Sequence, residues 1–598
     1  MDRPKPLLAP DSISLKHVNA RLLQIFAAIT FLTSALAAQT ANDAWKDCQE
    51  AKGEQAIQTC TEVIESGHES GARLATVFVN RGIEYQLKDD CSRAIQDYNE
   101  AIRLEPGNAV AFYDRGVAKL CLARHSHAKQ SLNQSVQLKS DEDAVSEHGI
   151  AYNAKGAAAP AIREAGIEDA ASDQKHEPPP SSGTDLDPSS SELDSAIQDF
   201  DEAIRLNPGF ASAWNNRGFT FAASGDYDRA VKDFKEAIRL APKSELPLIN
   251  RGRAYQSKSQ YDLAIQDYSN ALELQPDSQL AHFDRGIAYE MKGENELAEQ
   301  DYEDAVKIDP TYENALVNLG NTYSDSGAYD RAIQKFDLAL RIKPDDAFAF
   351  YDRGNAYREK RQYDLAIQDY SQAISLKPEY EPAFNNRGLA YDRKHKFDQA
   401  IQDFDEAIRL KEANTCSLNN RGITYAHQEN YHRAVQDFDE AIKLRPKDEL
   451  AYNNRGMAYV FQKQYQSAAP DFDRALALRP DKIAPRISRC ALRVVLGDLE
   501  GALDDCNLAL QMQKNNPLAL DDRGTVYLKM NKMDAAIADY NAALAINPRI
   551  ESSLYGRGLA EFKNGDRAAS QRDIGAAKAI DPDVANEFAE LGLPAPSF

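Results

Sequence analysis

Asn216, Asn250, Asp284, Asn318, Asp352, Asn386, Asn420 and Asn454 follow one another at intervals of 34 residues, and Asn80 falls on the same beat. A carboxamide donates through its nitrogen and accepts through its oxygen, so a row of them can hold an extended peptide by its main chain, whatever side chains the peptide carries. The interspersed carboxylates only accept, which favours a ligand bearing cations or exposed N–H groups. Adjacent amides at Asn215, Asn385, Asn419 and Asn453 widen the polar surface, and Phe348, Tyr351, Phe461 and Phe562 add apolar area. Ser488 and Gly556 interrupt the row toward the C-terminus, leaving Asn216 to Asn454 as its continuous part. The chemistry is recognition. The same amides fit a structural role equally, bonded to neighbouring helices or to water.

Catalysis has no comparable signature. The ten histidines are scattered, with no His-Glu-x-x-His, no phosphate-cradling glycine loop and no Ser-His-Asp set that a repeat would assemble. Cys121, His125 and His127 near Cys91 are metal-ligand types at irregular spacing, a pattern common by chance. The sequence therefore predicts no enzyme, no cofactor and no metal centre.

A repeated element must position the row. The dipeptide Arg-Gly recurs from Arg81-Gly82 to Arg557-Gly558, always at 34 residues or a multiple of 34. A fixed period of this length marks one small helical unit copied many times, each copy burying its apolar face against its neighbours. In one copy, apolar residues at three- and four-residue spacing run from Ala213 to Phe221 and from Ala230 to Leu240, with Gly225-Asp226 between them and Pro242 after them. Two helices, A and B, joined by a tight turn and closed by proline, follow from that pattern. Glycine inside helix A costs about 1 kcal/mol against alanine, so its repetition needs a close approach; Gly218 is expected to face Ala230. In eleven units the arginine is followed sixteen residues later by aspartate, as in Arg217 with Asp233 and Arg387 with Asp403. A half-buried guanidinium needs a carboxylate, which predicts an ion pair between helices A and B. Leu319 and Lys335 lack both members, and Arg115 meets only Ser131.

The small Gly and Ala positions, the aromatics Trp214, Tyr255, Tyr289, Tyr323, Tyr357 and Tyr391, and the closing prolines resemble the tetratricopeptide repeat family, over some thirteen units between about residues 75 and 582. The resemblance implies an all-α, right-handed superhelical solenoid of stacked helix-turn-helix repeats, with helices A lining a concave groove. It places the Asn/Asp row in that groove, where it resembles the asparagine ladder of the repeat superhelix of O-linked N-acetylglucosamine transferase. The chain departs from the family in carrying Arg before the glycine, in Cys490 at a glycine position, and in Glu412 and Lys514 at closing-proline positions. Family members are scaffolds in unrelated processes, so the partner is not implied.

The ends and one interval differ in character. A basic stretch, an apolar run from Leu22 to Leu32 and the small residues Ser34-Ala35-Leu36-Ala37 predict a signal peptide over residues 1–37, export to the periplasm or medium, and no membrane insertion after cleavage. A short array is expected over 38–171, a Pro/Ser-rich linker over 172–190, a long array over 191–582, and a capping helix with tail over 583–598; the linker is taken to divide two arrays rather than to split one repeat. The formal charge of −23 disfavours nucleic acid and anionic membranes.

In an oxidising compartment repeat geometry proposes three cysteine pairs. Cys490 replaces the packing glycine and Cys506 the facing aromatic; Cys48 and Cys60 recur in a shortened first unit; Cys91 begins a helix B and Cys121 lies late in the next helix A. Cys416 is left alone. In a reducing compartment the same residues are buried thiols. The whole predicts an exported, non-catalytic adaptor that binds a protein or an extended peptide, with a recruitment subunit of an envelope enzyme complex or a rigid spacer as the alternatives. The oligomeric state is not implied.

Overall fold

The computed structural model describes residues 48, 50–67, 69–123, 191–411 and 414–597. The signal segment, the linker, His125, His127 and Glu412 lie outside them. The chain divides into two compact units that meet in sequence at Pro344 and Asp345. In the first, α1 (Glu54–Ser66) precedes α2 (Gly71–Leu87), α3 (Cys91–Leu104), α4 (109–123), α5 (Ser191–Leu206), α6 (Ala211–Ala223), α7 (Tyr227–Leu240), α8 (Leu246–Ser257), α9 (Tyr261–Leu274), α10 (Gln279–Lys292), α11 (Asn295–Ile308), α12 (Glu313–Asp325) and α13 (Tyr329–Ile342). The second holds α14 (Ala347–Glu359), α15 (Tyr363–Leu376), α16 (Glu381–Arg393), α17 (Phe397–Leu410), α18 (Thr415–His427), α19 (Tyr431–Leu444), α20 (Glu449–Phe461), α21 (Tyr465–Leu478), α22 (Ala484–Leu496), α23 (Leu499–Met512), α24 (Pro517–Lys529), α25 (Met533–Ile546), α26 (Glu551–Lys563), α27 (Arg567–Ile580) and α28 (Val584–Glu590). From α2 to α27, even numbers are helices A and odd numbers helices B. No strand occurs among the described residues.

Local sequence sets each hairpin. Gly225 turns the chain from α6 into α7 at φ 82°, and Asp226 caps α7 by accepting from the Arg229 backbone N–H at 3.0 Å. Asp346 and Asp448 cap helices A in the same way. Within each unit neighbouring helices A pack against one another as well as against helices B, whereas helices B do not approach each other comparably, so each stack bends with helices A inside.

The repeated glycine admits an aromatic ring. A Cβ on Gly218 would stand 2.8 Å from Phe234, and one on Gly354 2.8 Å from Tyr370, in each case the residue sixteen further on. The expected neighbour Ala230 is near through its carbonyl oxygen, at 3.2 Å, but the Phe234 ring lies closer and is what the glycine receives. The rings are fully buried, as at Tyr98, Tyr268, Tyr302 and Tyr370, and form the centre of each hairpin.

The expected ion pair is present and reaches further than one hairpin. Arg387 donates to Asp403 through Nε and Nη2 at 2.8 and 2.7 Å, and through Nη1 to Ser371 on the preceding helix B at 2.9 Å. Arg455 likewise holds Asp471 and Asp439, and Arg421 holds Asp437 and Asp405. Each guanidinium thus ties its helix A to its own helix B and to the one before. The third bond was not foreseen, although its trace is visible in Asp403-Phe404-Asp405: the first aspartate serves its own repeat, the second the next.

Arg115 shows where the interrupted repeat continues. It donates to Asp199 on α5 at 3.0 and 2.5 Å, and Gly116 faces Phe200 at 2.7 Å. Helix α5 is therefore the helix B of the repeat begun by α4, with residues 124–190 between its two halves. The sequence expectation of two arrays divided by a linker does not anticipate this pairing of α4 with α5.

Candidate functional site

The row runs along the inner side of helices A. Asn216, Asn318, Asn386, Asn420 and Asn454 are 7, 4, 7, 1 and 1% exposed, and Asp284 and Asp352 are buried beside them in the series. Asn80 and Asn250 are half-buried. Burial this deep makes every amide atom either bonded or costly, and the row divides on that distinction.

One part is internally bonded. In the first unit Asn250 Nδ2 donates to Asn215 Oδ1 at 3.0 Å, Asn215 Nδ2 to Asn216 Oδ1 at 3.1 Å, and Asn216 Nδ2 to the Tyr113 hydroxyl at 3.1 Å. The second unit repeats the relay residue for residue: Asn420 Nδ2 donates to Asn385 Oδ1 at 3.0 Å, Asn385 Nδ2 to Asn386 Oδ1 at 3.2 Å, and Asn386 Nδ2 to the Tyr351 hydroxyl at 2.9 Å. Each relay links three successive helices A. Here the amides are bonded to neighbouring side chains. Asn318 Nδ2 similarly donates to the Tyr302 hydroxyl at 3.4 Å.

The relay then stops. Asn454 stands to Asn419 in sequence as Asn420 stands to Asn385, yet both side-chain polar atoms of Asn419, both of Asn454, and Asn420 Oδ1 carry no hydrogen bond. All three residues are 1% exposed, and Ser488, next along on α22, has an unpartnered hydroxyl as well. An unsatisfied buried polar group costs about 1–3 kcal/mol, so this cluster across α18, α20 and α22 differs from the bonded relays.

Several buried carboxylates on helices A are bonded to neighbours or shifted by burial. Asp284 accepts from Arg253 Nε at 2.7 Å. Asp521 accepts from the hydroxyls of Ser552 and Ser553 at 2.8 and 2.5 Å, and burial pushes it up to about 6. Burial likewise raises Asp522 well above the usual carboxylate range, and lifts Asp114 to about 8 with its Oδ2 unpartnered. The expected aromatic surface is also largely consumed by packing: Tyr351 meets Tyr380 at 5.0 Å and Phe461 stacks on Tyr431 at 5.1 Å.

All three proposed cysteine pairs are brought together. Cα separations are 4.8 Å for Cys48 and Cys60, 6.1 Å for Cys91 and Cys121, and 5.7 Å for Cys490 and Cys506, within the span of a disulfide. The last pair occupies the volume that glycine and an aromatic ring share elsewhere. Cys416 is buried and apart. His282, Asp301 and Asp304 converge, but both oxygens of Asp301 already accept from Arg285 at 2.8 Å. No helix among the described residues is long and apolar enough to cross a membrane.

Comparison with known proteins agrees with this architecture. Models described as tetratricopeptide repeat match residues 211–244, 249–313, 301–334, 382–414, 416–448 and 450–482, and one described as TPR repeat matches 320–360, 354–395 and 524–565. A model of the protein prenyltransferase alpha subunit repeat matches 193–224. No curated protein sequence matches significantly. Among solved structures, a tetratricopeptide repeat protein from Parabacteroides merdae is 21% identical over 42% of this chain and 98% of its own, with a TM-score of 0.37. Yeast Tom70 is 17% identical over 64% and 99%, with a TM-score of 0.35, and the Cut9–Hcn1 assembly of the APC/C is 14% identical over 90% and 96%, with a TM-score of 0.39. On its repeat period, its hairpin geometry and these matching models, the chain belongs to the tetratricopeptide repeat family.

Proposed function

We propose that this chain is a non-catalytic adaptor that holds an extended segment of a partner protein by its main chain, on the inner side of α18, α20 and α22. The observation that carries this reading is the set of unpartnered amide atoms at Asn419, Asn420 and Asn454. An extended peptide offers alternating N–H and C=O groups, the complement of a carboxamide pair, and needs no particular side chains to do so. The relays at Asn215–Asn250 and Asn385–Asn420 give the same residue type a structural use, so binding is confined to the stretch where the relay fails. Selection of a displayed random peptide library on the full chain tests the assignment. Selected peptides should lose binding on main-chain N-methylation and on Asn419→Ala with Asn454→Ala; selection indifferent to both would refute it.

The chain is read as exported, on the character of residues 1–37 and on the three cysteine pairs, whose placement suits an oxidising compartment. Mass measurement of the mature protein from the envelope tests this: a mass lacking the N-terminal segment and reduced by three disulfides is expected, and an intact N-terminus with free thiols would oppose it.

A further inference from the structure

The chain's last helix does not simply close the stack. Val584 and Phe588 on α28 and Leu593 just beyond it are 0, 3 and 7% exposed, and the Phe588 ring lies 4.9 Å from that of Tyr555 on α26. Leu591 packs against the cluster of Cys490, Val494 and Val526, contributed by α22 and α24. Glu590 pairs with Lys463 at 2.7 Å, although Lys463 lies 127 residues earlier, at the end of α20. These partners belong to four successive helices A or their ends. The segment therefore lies along the inner side of the bend, ending beside the helix that carries Asn453 and Asn454.

We propose that the inner side of α22, α24 and α26 is a docking surface for a short, acidic amphipathic helix, held at rest by the chain's own residues 584–593 and yielded to a partner segment of the same chemistry. The occupant defines the fit: apolar residues at 584, 588 and 591 face the stack and acidic residues lie between them. Its hold is of a kind that can be exchanged. A seven-residue helix has little stability of its own, and the exposed ion pair of Lys463 with Glu590 is screened by solvent. Glu587 sits among Asp581, Glu551, Asp583 and Glu590, and partial burial together with these carboxylates pushes it up to about 7. Residues 594–597, Pro-Ala-Pro-Ser, follow without helix. This surface adjoins the amide cluster at α22 but is lined by other side chains, Cys490, Val494, Val526 and Tyr555, so Asn419→Ala with Asn454→Ala should leave docking unchanged and the two assignments fail independently.

The test uses the full chain carrying Phe588→Ser and Leu591→Ser, with a labelled peptide of residues 583–597 as the probe. Anisotropy should show saturable binding about tenfold tighter than to the wild type, whose surface is already filled, and a peptide bearing the same two substitutions should not bind. Binding should weaken from about pH 6 to about pH 8, because ionising Glu587 opposes docking, and a Glu587→Gln peptide should lose that dependence. Equal binding to both chains, or none to either, would overturn the proposal. Hydrogen exchange on the unmodified chain decides independently of any variant's folding: amides of 585–591 should open at lower free energy than those of α24 and α26, and equal protection would show the segment to be fixed core. Peptide-reversible dimers between the double variant and the unmodified chain at high concentration would mean that a second copy's segment is the occupant, against a heterologous partner.

Discussion

Arg387 clasps Asp403 with two parallel hydrogen bonds and reaches Ser371 of the preceding repeat with a third. Nearly every repeat builds this three-helix junction, so the arginine that departs from the family pattern is a stacking device. Removing one member leaves the other charge buried and unpaired. Arg387→Ala should destabilise its unit by about 3 kcal/mol, and the double change Arg387→Ala with Asp403→Ala by less than the two single changes summed. Denaturant melts of the four chains measure the coupling; strict additivity would remove the junction's role.

The glycine that receives Tyr370 predicts a reciprocal pair. Gly354→Leu overpacks a Cβ position only 2.8 Å from that ring and should destabilise by about 1–3 kcal/mol. Tyr370→Ala in the same chain should recover part of the loss, as Cys490 with Cys506 already trades glycine and ring for two residues of middle size. A thermal melt in which Tyr370→Ala adds its full cost on top would contradict the account.

The repeat, its two helices, the glycine's close approach and the Arg–Asp pair were legible in the sequence because each is written into a 34-residue unit many times over. What escaped depends on relations between repeats. Asp405 belongs to Arg421 and not to its own hairpin; Arg115 finds Asp199 across a long insertion; Asn385 and Asn419 hold identical places in the unit, yet one is bonded on both sides and the other on neither. A one-repeat pattern cannot register such differences, since they lie between repeats and not within one.

Buried Asp114 gives the first unit a pH dependence. Its folded value, about 8, lies above the unfolded one, so its stabilising contribution is complete below the ordinary carboxylate range and is lost as pH rises toward 8. Asp114→Asn should flatten the stability profile between those limits and raise stability at the alkaline end. Melting temperatures across that range check it, and an unchanged slope would contradict it.

Closing Cys490 to Cys506 should add about 3 kcal/mol through the short loop it constrains. Under oxidising conditions thiol titration of the unfolded chain should find Cys416 alone, and reduction should lower the melting transition of the second unit. Seven reactive thiols before reduction would show that the pairs are only adjacent.

The division of the amide row makes two opposite forecasts for one chemical change. Asn386→Ala breaks a bonded relay and should lower stability by about 1 kcal/mol or more with peptide capture retained. Asn419→Ala with Asn454→Ala removes groups that lack partners and should leave stability equal or higher.

The most direct measurement sets these two chains side by side against the unaltered protein, reading melting temperature and calorimetric affinity for a library-selected peptide on each. The account predicts that Asn419→Ala with Asn454→Ala abolishes affinity and keeps the melting temperature, while Asn386→Ala does the reverse; loss of stability with affinity intact in the Asn419/Asn454 chain would contradict it.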